Sequence, residues 1–358
     1  MNDIMIVFGT RPQYMKAIVL FQQLLKLGNV TLVDTGQHYD DEMSSIFLKQ
    51  LKFPNVINLN VGSDTHGRQT AKILVRMEDL LLRSKPDLVI VNGDTNSTLS
   101  ATLASIKLNT PVAHVEAGPR SFNMSIPEEV NRVVVDSVST FLFAPSLQSV
   151  HNLAREGRKA FNTGDVLFDV LRIHLPKIKK RDTLGKYNID GDYILATTHR
   201  PHNVDNPKNL KIILDSLLKS PMPVILPLHP RTRKNIQRFG FQKKLKSPLK
   251  ITSPVGYYDM INFIRNAEAV VTDSGGIQRE TFWLRVPCLT LRADTTEWME
   301  TVNLKANFLI GCKKANITRI LNDLPSFPRT RKQPYGTGHA CEKIAKILNN
   351  WFIQPKDL

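Results

Sequence analysis

Short apolar runs alternate along the chain with longer segments in which apolar positions return every three or four residues. In the first half the runs are "IMIVF" (4–8), "VTLVDT" (30–35), "DLVIVN" (87–92) and "PVAHVE" (111–116). Amphipathic stretches such as "PQYMKAIVLFQQLLK" and "NSTLSATLASIK" follow them. The second half repeats the rhythm with "YILATT" (193–198), "PVILPL" (223–228), "AVVTD" (269–273) and "VPCLTL" (286–291). Strand and helix periods in strict succession predict an α/β protein with parallel, doubly wound sheets, and the repetition predicts two Rossmann-like domains. Their expected bounds are 1–171 and 190–335, joined by a basic, strandless linker from about 172 to 190. "GHACEKIAKILNNWF" (338–352) reads as a terminal helix, and no short-period repeat or low-complexity tract interrupts the pattern.

One junction carries chemistry on its face. In "VVTDSGGIQRETFWLRVPCLTLR" (270–292), Val270 and Val271 end a strand, while Ile277, Glu280, Thr281, Phe282 and Leu284 follow a helical period. Gly275 and Gly276 therefore stand at a strand-to-helix turn, where missing side chains let something approach the backbone. A helix starting there directs unpaired N–H groups and the positive end of its dipole outward, which suits phosphate. The same letters also describe a tight turn with a Ser N-cap and no ligand.

Other polar residues gather just after predicted strands, which is where open α/β sheets bind ligands. Arg11 and Lys16 follow the first run, Asp94 the third, and Glu116 and Arg120 the fourth, with Glu128, Glu129 and Arg132 beyond. His199, Arg200, His202 and His229 follow runs of the second half. Asp94 reads equally as a helix cap. Glu116, leaving an apolar strand, needs a partner or a task. Of Glu128 and Glu129, behind Pro127, one reads as a helix-start acid. Two histidines without further ligands do not complete a metal site.

Composition narrows the class. At 358 residues, with 42% hydrophobic and 22% charged positions, the chain fits two globular domains. "MNDIMIVFGTRPQYMK" has no basic leader, and no apolar window approaches membrane length, so a cytoplasmic location is expected. Cys288, Cys312 and Cys341 are too few and too scattered for a disulfide framework. The net charge of +16 draws on "RTRKNIQRFGFQKKLKSPLK" (231–250) and "KIKKR" (177–181), but neither matches a nucleic-acid motif. They read as solvated faces, or as attractors of anionic substrate or membrane surface. Neither a GxGxxG fingerprint nor a P-loop is present, which argues against a dinucleotide oxidoreductase or P-loop kinase.

Assembled, the segments "GTRPQYMK", "GDTNSTL", "HVEAGPRSFNMSIPEEVNR", "TTHRPHN", "LPLHPR", "TDSGGIQRE", "TTEW" and "PYGTGHA" resemble the non-hydrolysing UDP-N-acetylglucosamine 2-epimerase family nearly end to end. The resemblance implies a GT-B fold with the active site in the inter-domain cleft, a terminal helix returning to the first domain, a UDP-sugar ligand and a homodimer. It implies no cofactor, no metal, and neither nucleic acid nor membrane as partner. Position by position, it implies catalytic roles for Lys16, Asp94, Glu116, Glu128 and His199. It implies substrate binding by Arg11, Arg132, His229, Ser274, Gly275, Gly276 and Glu280, with the turn at 274–276 on the diphosphate and Glu280 on the ribose. Gln37 and His38 are followed by Tyr39, Asp40 and Asp41, unlike regulated bacterial members, so turnover without an activating second ligand is expected. "RSFNMSIPEE" and "TTEWMET" lean towards relatives that epimerise a UDP-diacetamido-uronic acid, and a GT-B glycosyltransferase is the remaining rival.

Overall fold

A computed structural model describes residues 1–37 and 56–354, with only the backbone given at Arg11. The expectations placed on His38, Tyr39, Asp40, Asp41 and the Arg11 side chain lie outside the described residues. The chain divides into two units, Met1–Ile173 with Gln333–Leu358, and His174–Lys332. Each has its own sheet and core.

The first unit holds β1 (Asn2–Phe8), β2 (Gly28–Asp34), β3 (Val56–Asn58), β4 (Leu88–Asn92), β5 (Val112–Val115), β6 (Phe141–Ala144) and β7 (Phe161–Asn162). They form one parallel sheet in the order β3-β2-β1-β4-β5-β6-β7. The strand order reverses between β1 and β4, which makes their carboxyl ends the topological switch point. Helices on both faces explain why β4 is buried at every residue. The helix His66–Ser84 buries Ile73, Met77, Leu80 and Leu81, a stripe at helical spacing. Its neighbour Asn96–Lys107 buries mostly small residues instead, among them Ser97, Thr98, Ser100, Ala101 and Ser105. The last helix, Ala340–Ile353, belongs to this unit: the Asp169 carboxylate accepts from the Ala340 and Cys341 amides at 2.9 and 2.8 Å, and Trp351 meets Phe141 edge-on.

The second unit holds β8 (Ile194–Thr197), β9 (Val224–Pro227), β10 (Leu249–Thr252), β11 (Ala269–Thr272), β12 (Cys288–Thr290) and β13 (Asn307–Leu309). Its parallel order, β10-β9-β8-β11-β12-β13, repeats that of the first six strands of the first unit, with the switch between β8 and β11. Leu195, Val270 and Val271 lie fully inside, and helix residues Leu210, Ile213, Leu214 and Leu217 cover one face. The net charge is uneven. This unit carries 28 Lys and Arg against 13 Asp and Glu, the first only 20 against 19, so almost all of the +16 is here.

The expected linker is helical. The division falls within the helix Val166–Lys179, and a short helix, Thr183–Lys186, follows. Leu167, Val170, Leu171, His174 and Ile178 are buried at helical spacing while Arg172, Lys177 and Lys179 face solvent, so the basic residues form the outer side of an amphipathic helix.

Candidate active site

Three neighbouring strand ends build the polar cluster of the first unit. After β1, Gln13 accepts from the Gly9 and Thr10 amides at 2.9 and 3.1 Å, and its own amide donates to the Asn92 carbonyl at 2.6 Å. One buried side chain thereby fastens the end of β1 to that of β4 across the switch point. A turn further on, Lys16 is buried and its ammonium pairs with the Glu116 carboxylate, from the residue just past β5. Glu116 has a φ of +71°, a left-handed conformation that a non-glycine residue adopts at a cost of about 1–2 kcal/mol. Strain of this kind collects at functional sites.

Past β4, the cap of the helix Asn96–Lys107 is Thr95, whose hydroxyl accepts from the Thr98 amide at 3.3 Å. Asp94 is therefore not the cap. Its carboxylate instead receives Arg132 Nη2 at 2.6 Å, and its carbonyl accepts from Asn131 Nδ2 at 2.9 Å. The other Arg132 nitrogen pairs with Glu129. Glu129 is buried and also accepts from Ser121 N at 3.0 Å, Ser121 Oγ at 3.0 Å and Phe122 N at 2.9 Å, so it is the loop-holding member of the acidic pair. Glu128 is half-buried, with no hydrogen-bond or ion-pair partner among the described residues.

Behind this cluster lies a buried group that the sequence reading passed over. Asp136 faces His114 Nδ1 and Arg120 Nη1, each at 2.7 Å. Burial alone would push its carboxyl up, but His114 and Arg120 outweigh it and hold it below the ordinary carboxylate range. At the end of β2, Asp34 is held above that range by burial, against the Tyr14 hydroxyl and the Gly36 amide that stabilise its charge.

In the second unit, Asp273 occupies the switch point. Its buried carboxylate accepts from Thr198 Oγ1 at 2.8 Å, the His199 and Arg200 amides at 3.1 and 3.0 Å, and Asn203 Nδ2 at 2.9 Å. Burial opposes its charge, yet His199 and these donors keep it below the usual range. The His199 ring is partly exposed, with Nδ1 3.3 Å from Asp273 and its centroid 5.1 Å from that of His229. His229 Nδ1 in turn accepts from the Arg231 amide at 3.2 Å and caps the helix Pro230–Arg238.

Ser274 opens the helix Gly275–Leu284 without a side-chain cap, so its hydroxyl leaves the first-turn N–H groups to others. Gly275 has a second reason to lack a side chain: a β-carbon there would lie 2.8 Å from Trp298 Nε1. Arg279, one turn in, stacks on Trp298 at 3.7 Å, and Glu280 is buried beside it in the sequence. Asp273 was absent from the expected site, although a carboxylate ending an apolar strand carries the same signal that singled out Glu116. Among the described residues no group of three His, Cys, Asp or Glu side chains is arranged to hold a metal ion, and no helix is long and apolar enough to cross a membrane.

Comparison with known proteins places these clusters in context. Residues 26–349 match the family model described as UDP-N-acetylglucosamine 2-epimerase. The chain is 41% identical to the UDP-N-acetylglucosamine 2-epimerase of Methanocaldococcus jannaschii, over 96% of this chain and 98% of that one. It is 42% identical to the UDP-2,3-diacetamido-2,3-dideoxy-D-glucuronate 2-epimerase of Pseudomonas aeruginosa, over 96% and 99%. A crystal structure of the M. jannaschii UDP-GlcNAc 2-epimerase in complex with UDP-GlcNAc and UDP superposes with a TM-score of 0.92, covering 97% of this chain and 99% of that one.

Proposed function

Because the chain belongs to the UDP-N-acetylglucosamine 2-epimerase family, we propose that it is an isomerase interconverting UDP-N-acetylglucosamine and UDP-N-acetylmannosamine. The observation that carries this reading is the buried Lys16–Glu116 pair, held on a left-handed backbone at the carboxyl end of β5. The hydrogen on C2 of the sugar is not acidic, since no carbonyl adjoins it in the ring. Loosening the C1–O bond to UDP builds positive character at C1 and acidifies that hydrogen. The reaction then runs by anti elimination: the C2–H electrons form a C1–C2 double bond, UDP leaves with the C1–O electrons, and a base takes the proton. Re-addition of UDP, with a proton delivered to the opposite face of C2, gives the epimer.

Carboxylates near C2 and cations near the departing diphosphate are what this chemistry needs. Asp94, Glu116 and Glu128 are assigned to the proton transfers. Lys16, Arg11, Arg132 and His199 are assigned to the sugar and diphosphate, with His229 supporting His199. The uncapped turn at Ser274, Gly275 and Gly276 takes the diphosphate through its N–H groups, and Glu280 takes the ribose hydroxyls. The excess positive charge of the second unit favours capture of the anionic nucleotide. The reading also includes a cytoplasmic homodimer supplying sugar nucleotide for polysaccharide synthesis.

The test is incubation with UDP-N-acetylglucosamine and no acceptor, followed by sugar analysis, with UDP-2,3-diacetamido-glucuronate run alongside. Appearance of the manno epimer from the first sugar is expected. Epimerisation of the second sugar alone would move the substrate assignment, and no epimer from either would sink the reading.

A further inference from the structure

Two of the turns assigned to proton transfer are tied to the same buried carboxylate. Asp136, on the helix Pro127–Val138, is fully buried, as is His114 on β5. Its Oδ1 faces His114 Nδ1 at 2.7 Å, and the other ring nitrogen lies 2.7 Å from the Gly93 carbonyl, which can only accept. Gly93 immediately precedes Asp94. The second oxygen of Asp136 accepts from the Gly118 amide at 3.1 Å, two residues past Glu116, and from Arg120 Nη1 at 2.7 Å. Arg120 in turn carries Glu156 at its outer end. Gly93, Glu116 and Gly118 all have positive φ, at +66°, +71° and +89°. Both turns therefore hold uncommon backbone shapes, and each is hydrogen-bonded back to Asp136 directly or through one imidazole.

Buried ionic groups are weak evidence for stability, since packed apolar residues of like volume commonly replace them without loss. What an apolar replacement does not supply is a directional hold on two backbones at once. Neither His114 nor Asp136 reaches solvent, so neither touches substrate, and both act through the turns they hold.

We propose that Asp136 is a positioning residue for the epimerisation: through His114 and the Gly93 carbonyl it sets Asp94, and through the Gly118 amide it sets Glu116. The assignment rests on the reading of Asp94 and Glu116 as acting carboxylates.

Asp136→Asn keeps the size of the side chain but loses an acceptor, and His114→Phe keeps a ring while cutting only the arm to Gly93. In the full-length protein, kcat should fall about ten- to a hundredfold in each, the scale of a misplacement near 1 Å, while KM and UDP affinity stay within about twofold. Amide hydrogen exchange should accelerate at 93–96 in both variants and at 116–120 only in Asp136→Asn. That regional split separates positioning from general loosening, and His114→Phe preserves the test if Asp136→Asn does not fold. Folded variants with wild-type kcat and unchanged exchange in both turns would overturn the proposal. A wild-type protein that fails to epimerise, but whose variants show the exchange pattern, would instead overturn the functional reading and leave the anchoring in place.

Discussion

The indole nitrogen of Trp298 stands 2.8 Å from the point a β-carbon on Gly275 would occupy. A methyl group there must displace the ring, on which Arg279 is already stacked at 3.7 Å. Gly275→Ala is expected to destabilise the protein by about 1–3 kcal/mol, the usual cost of overpacking, and to weaken UDP binding as the turn shifts. Combined with Trp298→Leu, which makes room, the loss should be smaller than the sum of the two single changes. Additive losses in denaturant titrations would show that the two residues do not compete for that space.

Glu116 offers a way to separate backbone strain from chemistry. Both Glu116→Ala and Glu116→Gly remove the partner of Lys16, and both should abolish most turnover. Only glycine relieves the φ of +71°, so Glu116→Gly should be the more stable of the two by about 1 kcal/mol. Equal unfolding free energies would mean that the turn holds no strain.

Elimination leaves an isotopic trace. Turnover in D2O should place deuterium at C2 of the product, with UDP and the free glycal escaping in small amounts. Asp94→Asn and Glu116→Gln should each lower turnover by roughly 10²–10⁴, the scale of a positioned acid or base, with UDP affinity changed far less. Epimer that keeps the substrate's own hydrogen at C2 during turnover in D2O would rule the route out.

Stability should fall over two pH windows on acidification. His174 is buried against Tyr258 Oη at 2.6 Å, and burial, with Lys177 nearby, pushes it down to about 4 from 6.5. The unfolded chain thus takes up this proton first, so His174 supports the fold above 6.5, and that support drains away as pH falls towards about 4. Asp136 and Asp273 lie below the ordinary value of 3.8, so their support is present above it and is lost at still lower pH. Asp34 and Asp169 are raised and act in the opposite sense, gaining stability as pH falls through their window. His174→Gln should flatten the decline of the thermal midpoint between 6.5 and 4. An unchanged slope would assign that decline elsewhere.

The long apolar runs were legible in the sequence because a strand buried on both faces has no polar alternation to blur it: "DLVIVN" became β4 and "PVILPL" became β9. Strands β3, β7, β10 and β13 were not, since "VIN", "FN", "LKIT" and "NFL" are short and partly polar, and at sheet margins little burial disciplines their sequence. β6, "FLFA", matches β9 in length and apolar character, so the same signal was present there and was passed over. In the site, residue types at strand ends pointed to Lys16, Asp94 and Glu116, but their partnerships join positions far apart, as with Lys16 and Glu116, and no spacing rule reaches so far. The choice between Glu128 and Glu129 depended on which side of one helix the preceding loop returns to, a matter of tertiary structure. Gly275 carries a second constraint that its turn does not display in sequence: the glycine read as room for a ligand also makes room for an indole.

Synthesis meets the two units in an uneven order. Asp169 is made 171 residues before Ala340, whose amide it accepts, and the whole of His174–Lys332 lies between them. At ribosomal speeds of about 5–20 residues per second, that interval lasts roughly ten to thirty seconds. During it the second unit is made as one contiguous stretch, while the side of Phe141 that receives Trp351 stays open and Asp169 lacks the Ala340 and Cys341 amides. The unit whose sheet emerges first is therefore the one completed last, and a chain ending at residue 339 would carry the whole of the second unit beside a first one that lacks its closing helix.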